Sequence, residues 1–267
     1  MADTANLSTA DHLLCELARV ERLWLFLDYD GTLADFAPTP DTVIPDIALV
    51  TLLSHLLQTP GLQLAIVSGR RLAHIHKLVP LTGLWLAGTY GVELASPAGE
   101  RIHRLDYARM RPPLAQLKRE WEHLTRNRPG FYLEDKGWSL AIHARFASEH
   151  DAGEIFAAAT RAAEAAVQAA ALRLQGGHRF LEISSPEMDK GKTVAYILAQ
   201  DPLPEALPVF IGDDDKDELA FKAVKARQGA AIVVTPGPRP SQADFYLENP
   251  AAVRAWLEAL RRLRTLT

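Results

Sequence analysis

Short, mostly apolar runs recur along the chain, and all but the last are followed directly by glycine, serine or aspartate. The runs are Leu23–Leu27, Leu62–Val67, Leu84–Ala87, Phe180–Ile183, Val209–Ile211 and Ala230–Val234. Continuous apolar runs are typical of strands that are buried on both faces, as in a parallel sheet covered by helices. Because helical patterns follow these runs, we expect an α/β fold with a Rossmann-like parallel sheet.

The middle of the chain has a different pattern. Phe131–Phe146 alternates on both sides of Lys136-Gly137, as two neighbouring strands do. An alanine-rich amphipathic helix is expected over residues 149–174. The change of pattern predicts that an α+β domain is inserted into a core domain. The predicted boundaries are 1–108 for the first part of the core, 109–180 for the insert and 181–267 for the second part of the core.

Composition narrows the class of protein. The chain has 267 residues, 48% of them hydrophobic, and a formal net charge of −4, which gives no general attraction to nucleic acid or to anionic membranes. No segment approaches the roughly 20 apolar residues of a membrane span. Cys15 is the single cysteine, which favours a reducing compartment. We expect a cytoplasmic protein without nucleic-acid or membrane partners, and take a monomer as the working hypothesis.

Carboxylates, a hydroxyl group and cations follow the predicted strands. Asp28 and Asp30 follow the first run, Ser68–Arg70 the second, and Asp213-Asp214 a later one, while Lys190 precedes a helical pattern. In a parallel sheet, ligands bind beyond the carboxyl ends of the strands. Hard oxygen ligands without a cysteine or histidine cluster suit Mg²⁺. These residues together predict a site for a phosphoryl group and a divalent cation.

Each residue also has an ordinary structural role. A single aspartate or a Ser-Gly pair after a strand commonly forms a turn, Asp217 can favour a helix N-terminus, and most lysines are solvated. The motif Asp28-Tyr29-Asp30-Gly31-Thr32 is harder to explain in this way. Two carboxylates two residues apart point to the same side if the strand persists, and glycine permits the tight turn that follows. We therefore favour a functional role for this motif.

The motifs DYDGTL, SGR, KG before a helix and GDDDKDE occur in an order that resembles the haloacid dehalogenase superfamily of aspartate-nucleophile phosphatases. Further details resemble the trehalose-6-phosphate phosphatase family within it. They are the tyrosine of DYDGTL, the G-x-x-G-x-E motif of Gly88–Glu93, the E-x-K of Glu134–Lys136 and the H-x-R of His143–Arg145. The resemblance extends from Leu23 to Phe221 and implies a core of the haloacid dehalogenase type with an inserted cap.

The chain departs from that family pattern at four places. Ser184-Ser185-Pro186 stands where Arg-Pro is common, and Lys216 stands where threonine is usual. Tyr90 replaces a common histidine, and Ala144 replaces a common tyrosine. Three of these places lie outside the core catalytic set, so the departures concern the substrate more than the reaction.

The resemblance implies Mg²⁺-dependent hydrolysis of a sugar phosphate, most specifically trehalose 6-phosphate, through an aspartyl-phosphate. Asp28 would be the nucleophile, Asp30 the general acid and base, and Lys190 a catalytic cation that binds the phosphoryl oxygens. The implied metal set is Asp28, Asp30 through its backbone carbonyl, Asp213, Asp214 and Asp217. The implied substrate-binding set is Ser68, Gly69, Arg70, Glu134, Lys136, His143, Arg145 and Glu182. On spacing alone, the charged residues of the insert are better explained as a solvated sheet face, and only the resemblance favours a role in binding.

Three other functions stay open at this point. The chain could be a phosphatase of another glycosyl phosphate, or an isomerase, because phosphomannomutases share the DxDGT start and a similar cap. It could also be a non-catalytic module that binds a sugar phosphate. Degenerate modules usually lack a nucleophile or a metal carboxylate, whereas Asp28, Asp30, Lys190 and Asp213 are all present. The binding module is therefore the least favoured hypothesis.

Overall fold

The computed structural model describes residues 8–36, 44–177, 179–237 and 239–266. These residues form two compact units. The first comprises the chain up to Ile102 and again from Asp189 onward, and the second is His103–Met188. The predicted insert at 109–180 lies inside the second unit.

The first unit alternates strands and helices in the order that the apolar runs predict. Its strands are β1 (Ser8–Thr9), β2 (Leu23–Leu27), β3 (Leu62–Val67), β4 (Trp85–Gly88), β5 (Glu93–Ala95), β6 (Arg101–His103, which ends at the unit boundary), β11 (Leu207–Gly212), β12 (Ala230–Val234) and β13 (Phe245–Leu247). Its helices are α1 (Asp11–Arg19), α2 (Ile47–Leu57), α3 (Leu72–Leu78), α6 (Lys190–Gln200), α7 (Glu218–Lys225) and α8 (Pro250–Leu266), with a 3₁₀ turn at Thr89–Gly91.

These strands form a sheet that has nine members among the described residues, in the order β1-β13-β12-β11-β2-β3-β4-β5-β6. All pairs from β1 to β4 are parallel, and β5 joins β4 antiparallel. The expected α/β class with a parallel core sheet is confirmed. Strand β2 lies between β11 and β3, which places Asp28 at the centre of the sheet edge.

The unbroken apolar sequence of β2 follows from burial on both faces. Leu23, Leu25 and Leu27 pack in the cluster that also contains the buried residues of α1, α2, α3 and α8. Trp24 and Phe26 pack in the opposite cluster, with buried residues of α6 and α7. Each such side chain contributes about 1.5–3 kcal/mol through burial, so the strand that carries Asp28 is firmly anchored.

The second unit has its own sheet. Its elements are α4 (Tyr107–Thr125), β7 (Tyr132–Asp135), β8 (Leu140–His143), α5 (Glu149–Ala170), β9 (Arg173–Gly177) and β10 (Phe180–Ser184). The strands are antiparallel in the order β7-β8-β10-β9. The register aligns Glu134, Ala141, Glu182 and Gln175 across the four strands, so two carboxylates lie in one row on one face.

Two expectations about this region are wrong. Phe180–Ile183 was expected in the parallel sheet, but this run forms β10 of the antiparallel sheet. A short apolar run has the same composition in a parallel sheet and in an antiparallel sheet, and only the pairing of the strand distinguishes the two cases. The alanine-rich helix ends at Ala170, where Ala171 adopts a left-handed conformation with φ 50°, and Arg173–Gly177 forms an unexpected strand.

None of the helices within the described ranges has both the length and the apolar character that a membrane crossing requires.

Candidate active site

The centre of the site lies where β2 ends. The Asp28 backbone N–H donates to the carbonyl of Ile211 at 2.9 Å, which continues the pairing of β2 with β11. Gly31 then turns the chain with φ +77°, and a Cβ at this position would lie 2.2 Å from Asp213 Oδ2. The Thr32 hydroxyl donates to Asp213 Oδ1 at 3.2 Å. The glycine is therefore required for both its conformation and the close approach of Asp213.

Lys190 connects the end of β2, at Asp28, with the loop after β11, at Asp217. Its ammonium lies 2.9 Å from Asp28 Oδ1 and donates to Asp217 Oδ1 at 2.6 Å. The three side chains are almost fully buried, with exposed fractions of 2% for Lys190, 7% for Asp28 and 0% for Asp217. Buried charges are stable only when they are paired, so these residues form one interdependent ionic group. The Asp189 side chain caps α6 and fixes the position of Lys190 as its first residue.

The loop after β11 is shaped by its own carboxylates. Asp217 Oδ2 accepts the backbone N–H groups of Asp213 and Asp214, each at 3.0 Å. Asp214 Oδ1 accepts the N–H groups of Lys216 at 2.9 Å and of Asp217 at 3.1 Å. Asp217 therefore holds both Lys190 and the loop, and it fixes where the Asp213 carboxylate lies.

Burial and neighbouring charge shift several pKa values in this group. Burial works to lower the pKa of Lys190, but Asp217, Asp28 and Asp214 outweigh it and raise the pKa well above its ordinary value. Burial raises the pKa of Asp28 to about 7 against the opposing effect of Lys190, and Asp214 and Asp213 contribute in the same direction as burial. Burial, together with Asp217 and Asp214, raises the pKa of Asp213 to about 6. Excess negative charge at this point favours the binding of a cation.

Three carboxylates in the described part of the chain could hold a metal ion. Asp28, Asp213 and Asp217 each offer an oxygen, and these atoms lie within 4.8 Å of one another. An all-oxygen, carboxylate donor set fits Mg²⁺. Both oxygens of Asp217 already accept hydrogen bonds, from Lys190 and from the loop, so Asp28 and Asp213 are the better ligands.

The Ser68–Arg70 turn follows β3 beside the Asp28 motif. The buried Ser68 hydroxyl oxygen accepts the N–H of Arg70 at 3.1 Å, which is the ordinary turn role of serine. Arg70 donates through Nε and Nη2 to the two carboxylate oxygens of Asp30, each at 2.7 Å. Arg70 was expected near the phosphate or the sugar, and in this structure its guanidinium is bound to Asp30.

The Gly88–Glu93 motif, which begins at the last residue of β4, contacts that turn through its backbone. Thr89 and Tyr90 both adopt left-handed conformations, with φ values of 50° and 54°. The Thr89 N–H donates to the carbonyl of Arg70 at 2.7 Å, and the Tyr90 N–H donates to the carbonyl of Ser68 at 2.9 Å. The motif therefore fixes the backbone of the Ser68–Arg70 turn.

The second unit contains a separate polar cluster on its sheet. Lys136 Nζ lies 3.7 Å from Glu134 Oε2 and 3.4 Å from Glu182 Oε1. His143 Nε2 lies 3.0 Å from Glu134 Oε2. Burial works to raise the pKa of Glu134, but His143 and Lys136 outweigh it and lower the pKa. The structure therefore brings together four of the residues that the sequence predicts for the insert.

Arg145 lies outside this cluster, and two unpredicted residues lie in it. Strand β8 ends at His143, and Arg145 packs over the ring of its neighbour Phe146. The Ser139 hydroxyl donates to the buried Glu182 at 3.3 Å, and the ring of Tyr132 stacks on His143 with centroids 6.0 Å apart. Tyr132 and His143 are paired across the strands, which a correct register would have revealed from the sequence.

The parallel sheet with its inserted second unit resembles the fold of solved haloacid dehalogenase-like hydrolases. A haloacid dehalogenase-like hydrolase from Bacteroides thetaiotaomicron has a TM-score of 0.62 at 14% identity, covering 89% of this chain and 98% of that chain. The family model described as trehalose-phosphatase matches residues 26–251. The chain belongs to the trehalose-phosphatase family.

One curated relative and one solved structure illustrate the similarity of the chain to members of this family. The trehalose-phosphate phosphatase of Mycobacterium marinum is 37% identical over 244 residues, which are 88% of this chain and 60% of the relative. The chain thus spans about 60% of the length of that relative. The structure of the C-terminal domain of Candida albicans trehalose-6-phosphate phosphatase has a TM-score of 0.77 at 21% identity, covering 97% of this chain and 99% of that domain.

Proposed function

We propose that this protein hydrolyses a sugar phosphate monoester, with trehalose 6-phosphate as the substrate, through a covalent phosphoryl group on Asp28. The observation that carries the proposal is the buried contact of Lys190 with Asp28 and Asp217, beside Asp213, at the end of the central strand. The names of the relatives support the choice of substrate.

Asp28 attacks the phosphorus atom, the P–O bond to the sugar breaks, and an aspartyl-phosphate forms. A carboxylate can act in this way because its oxygen displaces an alkoxide that receives a proton as it leaves. Lys190 stabilises the ionised form of Asp28 and then the phosphoryl oxygens. The Ser68 hydroxyl and the adjacent backbone of Gly69 bind the same oxygens from the neighbouring turn.

Asp30 donates the proton to the leaving sugar oxygen and later removes a proton from the attacking water. Formation of the aspartyl-phosphate requires a protonated Asp30, and its hydrolysis requires an ionised Asp30. Because the first step leaves Asp30 ionised, one carboxyl group serves both steps in turn. Water then cleaves the acyl phosphate and regenerates Asp28. In this structure Arg70 binds both oxygens of Asp30, so the proton that Asp30 transfers shares an oxygen with an Arg70 N–H or replaces one of these contacts.

Mg²⁺ fits the carboxylates of Asp28 and Asp213, with the Asp30 backbone carbonyl as a third ligand and Asp214 and Asp217 as support. When bound, this ion neutralises charge between an anionic nucleophile and a dianionic phosphate. Asp217 keeps Asp213 and Lys190 in place through its two oxygens.

The polar cluster of the second unit binds the hydroxyl groups of the sugar. Glu134, Lys136, His143 and Glu182 offer donors and acceptors in one place, as recognition of a polyol requires. The predicted role of Arg145 in sugar binding stays a prediction. The predicted boundaries of the cap, the cytoplasmic location and the monomeric state also stay predictions.

The test is a screen for inorganic phosphate release. The purified protein with Mg²⁺ is incubated with trehalose 6-phosphate, other glycosyl phosphates and hexose phosphates, and Asp28→Asn is the matched control. Release from trehalose 6-phosphate that exceeds release from the other substrates supports the proposal. Movement of phosphate between hydroxyls without release would support an isomerase, and binding without either change would support a binding module.

A further inference from the structure

Glu93 on β5 connects helix α3 with the 3₁₀ turn that follows β4. Its Oε2 atom accepts the backbone N–H of Leu72 at 3.2 Å, although the two residues are 21 positions apart. The same oxygen accepts the hydroxyl of Thr89 at 3.1 Å. One carboxylate oxygen therefore joins the first residue of α3 to the motif that contacts the Ser68–Arg70 turn.

The start of α3 explains why an acceptor is needed at this place. The helix begins at Leu72, almost directly after the Ser68–Arg70 turn. The first N–H groups of a helix have no partner within it, and the side chain of the preceding residue commonly accepts one of them. Arg71 holds that preceding position, and an arginine side chain carries no hydrogen-bond acceptor. Glu93 supplies the acceptor from a strand of the sheet instead.

The end of β4 packs closely against the same stretch of backbone. A Cβ on Gly88 would lie 2.3 Å from the nitrogen of Leu72 and 2.9 Å from the carbonyl oxygen of Arg70. The Thr89 N–H donates to that carbonyl from a left-handed conformation, which is unfavourable for a β-branched residue. The hydrogen bond from the Thr89 hydroxyl to Glu93 stabilises this conformation. Glu93 thus acts on the turn directly at Leu72 and, through Thr89, at Arg70.

We infer that Glu93 is a positioning residue for the phosphate group, whose carboxylate holds the Ser68–Arg70 turn in the form that binds phosphoryl oxygens. A carboxylate repels a phosphate dianion, so Glu93 increases the affinity for phosphate only through the position of the turn. The inference rests on the proposed function, because that function makes Ser68 and Gly69 the phosphate-binding groups. It deepens that function by assigning part of the phosphate affinity to a residue that does not contact the substrate.

A purely structural role for Glu93 makes a different prediction. Loss of a structural carboxylate would lower the melting temperature and leave the phosphate affinity of the folded protein unaltered. The two roles also respond differently to a conservative substitution. Both hydrogen bonds of Glu93 Oε2 need only an acceptor, and the amide oxygen of glutamine can accept both of them. Glutamine should therefore preserve the turn, whereas methionine, which is similar in length and lacks this oxygen, should not.

The experiment measures inorganic phosphate binding by calorimetry with Mg²⁺, well below the melting temperature, together with KM for trehalose 6-phosphate and for p-nitrophenyl phosphate. The variants are Glu93→Met, Glu93→Gln and Thr89→Val, with Glu100→Met as the control at an exposed carboxylate between β5 and β6. We expect Glu93→Met to weaken phosphate binding about tenfold and to raise KM similarly for both substrates, which share the phosphate group. Glu93→Gln should restore most of the affinity, Thr89→Val should lose about two- to threefold, and Glu100→Met should match the wild type.

The outcomes separate the inference from the proposed function. Unchanged phosphate affinity in Glu93→Met, whatever its melting temperature, overturns the inference and leaves hydrolysis intact, and so does a Glu93→Gln variant that binds phosphate as weakly as Glu93→Met. Phosphate binding that depends on Glu93 in a protein that hydrolyses no monoester supports the inference and overturns the proposed function. A wild-type protein that binds no phosphate overturns the inference, and the phosphate-release screen then tests hydrolysis by itself. If Glu93→Met does not fold, Thr89→Val decides, and unchanged phosphate affinity in that variant overturns the inference.

Discussion

The guanidinium of Arg70 binds both carboxylate oxygens of Asp30, with Nε–Oδ2 and Nη2–Oδ1 distances of 2.7 Å each. The two side chains are only 10% and 23% exposed, so little water competes for this contact. Bidentate pairs of this kind are among the stronger ion pairs in proteins. Asp30 is therefore held in a defined place beside Asp28, and in the proposed proton transfer its proton would have to share an oxygen with an Arg70 N–H or replace one of the two contacts.

Asp30→Asn tests the acid–base role through the choice of leaving group. An alkoxide leaving group needs protonation, whereas a nitrophenolate leaves without it. We expect kcat/KM for trehalose 6-phosphate to fall by about 10²–10⁴-fold, while kcat/KM for p-nitrophenyl phosphate changes little. Steady-state kinetics on both substrates makes the comparison.

Asp35→Asn is the control for this experiment, because Asp35 is an exposed carboxylate a few residues further along. It should behave as wild type on both substrates. Equal losses of kcat/KM on the two substrates in Asp30→Asn would contradict proton donation to the leaving group.

Asp28→Asn tests the nucleophile. The substitution preserves size and a hydrogen-bond acceptor for Lys190, so we expect a folded protein whose turnover is lost. Rapid acid quenching and mass spectrometry should find a phosphorylated wild-type chain and an unmodified variant. Asp215→Asn is the matched control, since Asp215 is almost fully exposed and pairs with Arg239. A variant at position 28 that keeps near-wild-type turnover would remove the nucleophile assignment.

Removal of metal tests whether activity depends on Mg²⁺ held by the carboxylates of Asp28 and Asp213. We expect a chelator to abolish phosphate release and added Mg²⁺ to restore it, while Ca²⁺, with its longer bonds and higher coordination number, restores little. Mg²⁺ should also raise the melting temperature of the wild-type protein, and Asp213→Asn should lose most of that increase. The measurement is thermal unfolding across a Mg²⁺ titration. Full activity in excess chelator would exclude the role of Mg²⁺.

Glu182→Gln tests sugar recognition in the second unit. Glu182 is buried and contacts Lys136 and Ser139, so loss of its charge should disturb the whole cluster. We expect kcat/KM for trehalose 6-phosphate to fall by about 10–100-fold and that for p-nitrophenyl phosphate to stay within about twofold, since remote binding energy serves only the full substrate. Glu164→Gln, at an exposed position on α5, is the control. Equal losses on both substrates would indicate a role in folding.

Arg111→Met tests how the ion pair between Arg111 and Asp135 makes the stability of the second unit depend on pH. Burial works to raise the pKa of Asp135, but Arg111, the Gly137 N–H and Lys118 outweigh it and hold the pKa far below its ordinary value of 3.8. A depressed carboxyl pKa stabilises the folded state above the unfolded value and loses that effect as the pH falls. We expect Arg111→Met to lower the free energy of unfolding by about 1–2 kcal/mol at pH 7, because both side chains keep some solvent contact.

The difference between wild type and Arg111→Met should be constant from about pH 7 to pH 5 and should shrink below about pH 4. Urea unfolding at a series of pH values measures it. Arg109→Met, exposed on the same helix, should show no such difference. A difference that grows as the pH falls would contradict the ion pair.

The sequence predicts where the centre of the candidate site lies, because the motifs of Asp28, Ser68 and Asp213 each follow a buried apolar run directly or after one glycine. Once those runs form neighbouring parallel strands, Asp28, Ser68 and Asp213 meet at one sheet edge without further information. The partners within the site are less predictable. That Arg70 binds Asp30 depends on the geometry of two turns, and spacing along the chain does not determine it.

The hydrogen bond that Lys216 donates to the Tyr90 hydroxyl oxygen shows the same limit. Both residues are departures from the family pattern, and the sequence gives no sign that they touch. Strand β10 illustrates a second limit, since Phe180–Ile183 has the composition of a parallel strand and pairs antiparallel. Hydrophobic pattern reports burial, whereas the identity of the neighbouring strand is a property of the whole fold.

The position of β2 at the centre of the sheet also determines when the site can form during translation. One neighbour, β3, emerges from the ribosome soon after β2, but the other, β11, begins at Leu207. The whole second unit, His103–Met188, is synthesised in the interval. The nascent core thus exposes one edge of the apolar strand β2 until β11 has been synthesised, and an unpaired apolar strand edge is prone to aggregation during that interval.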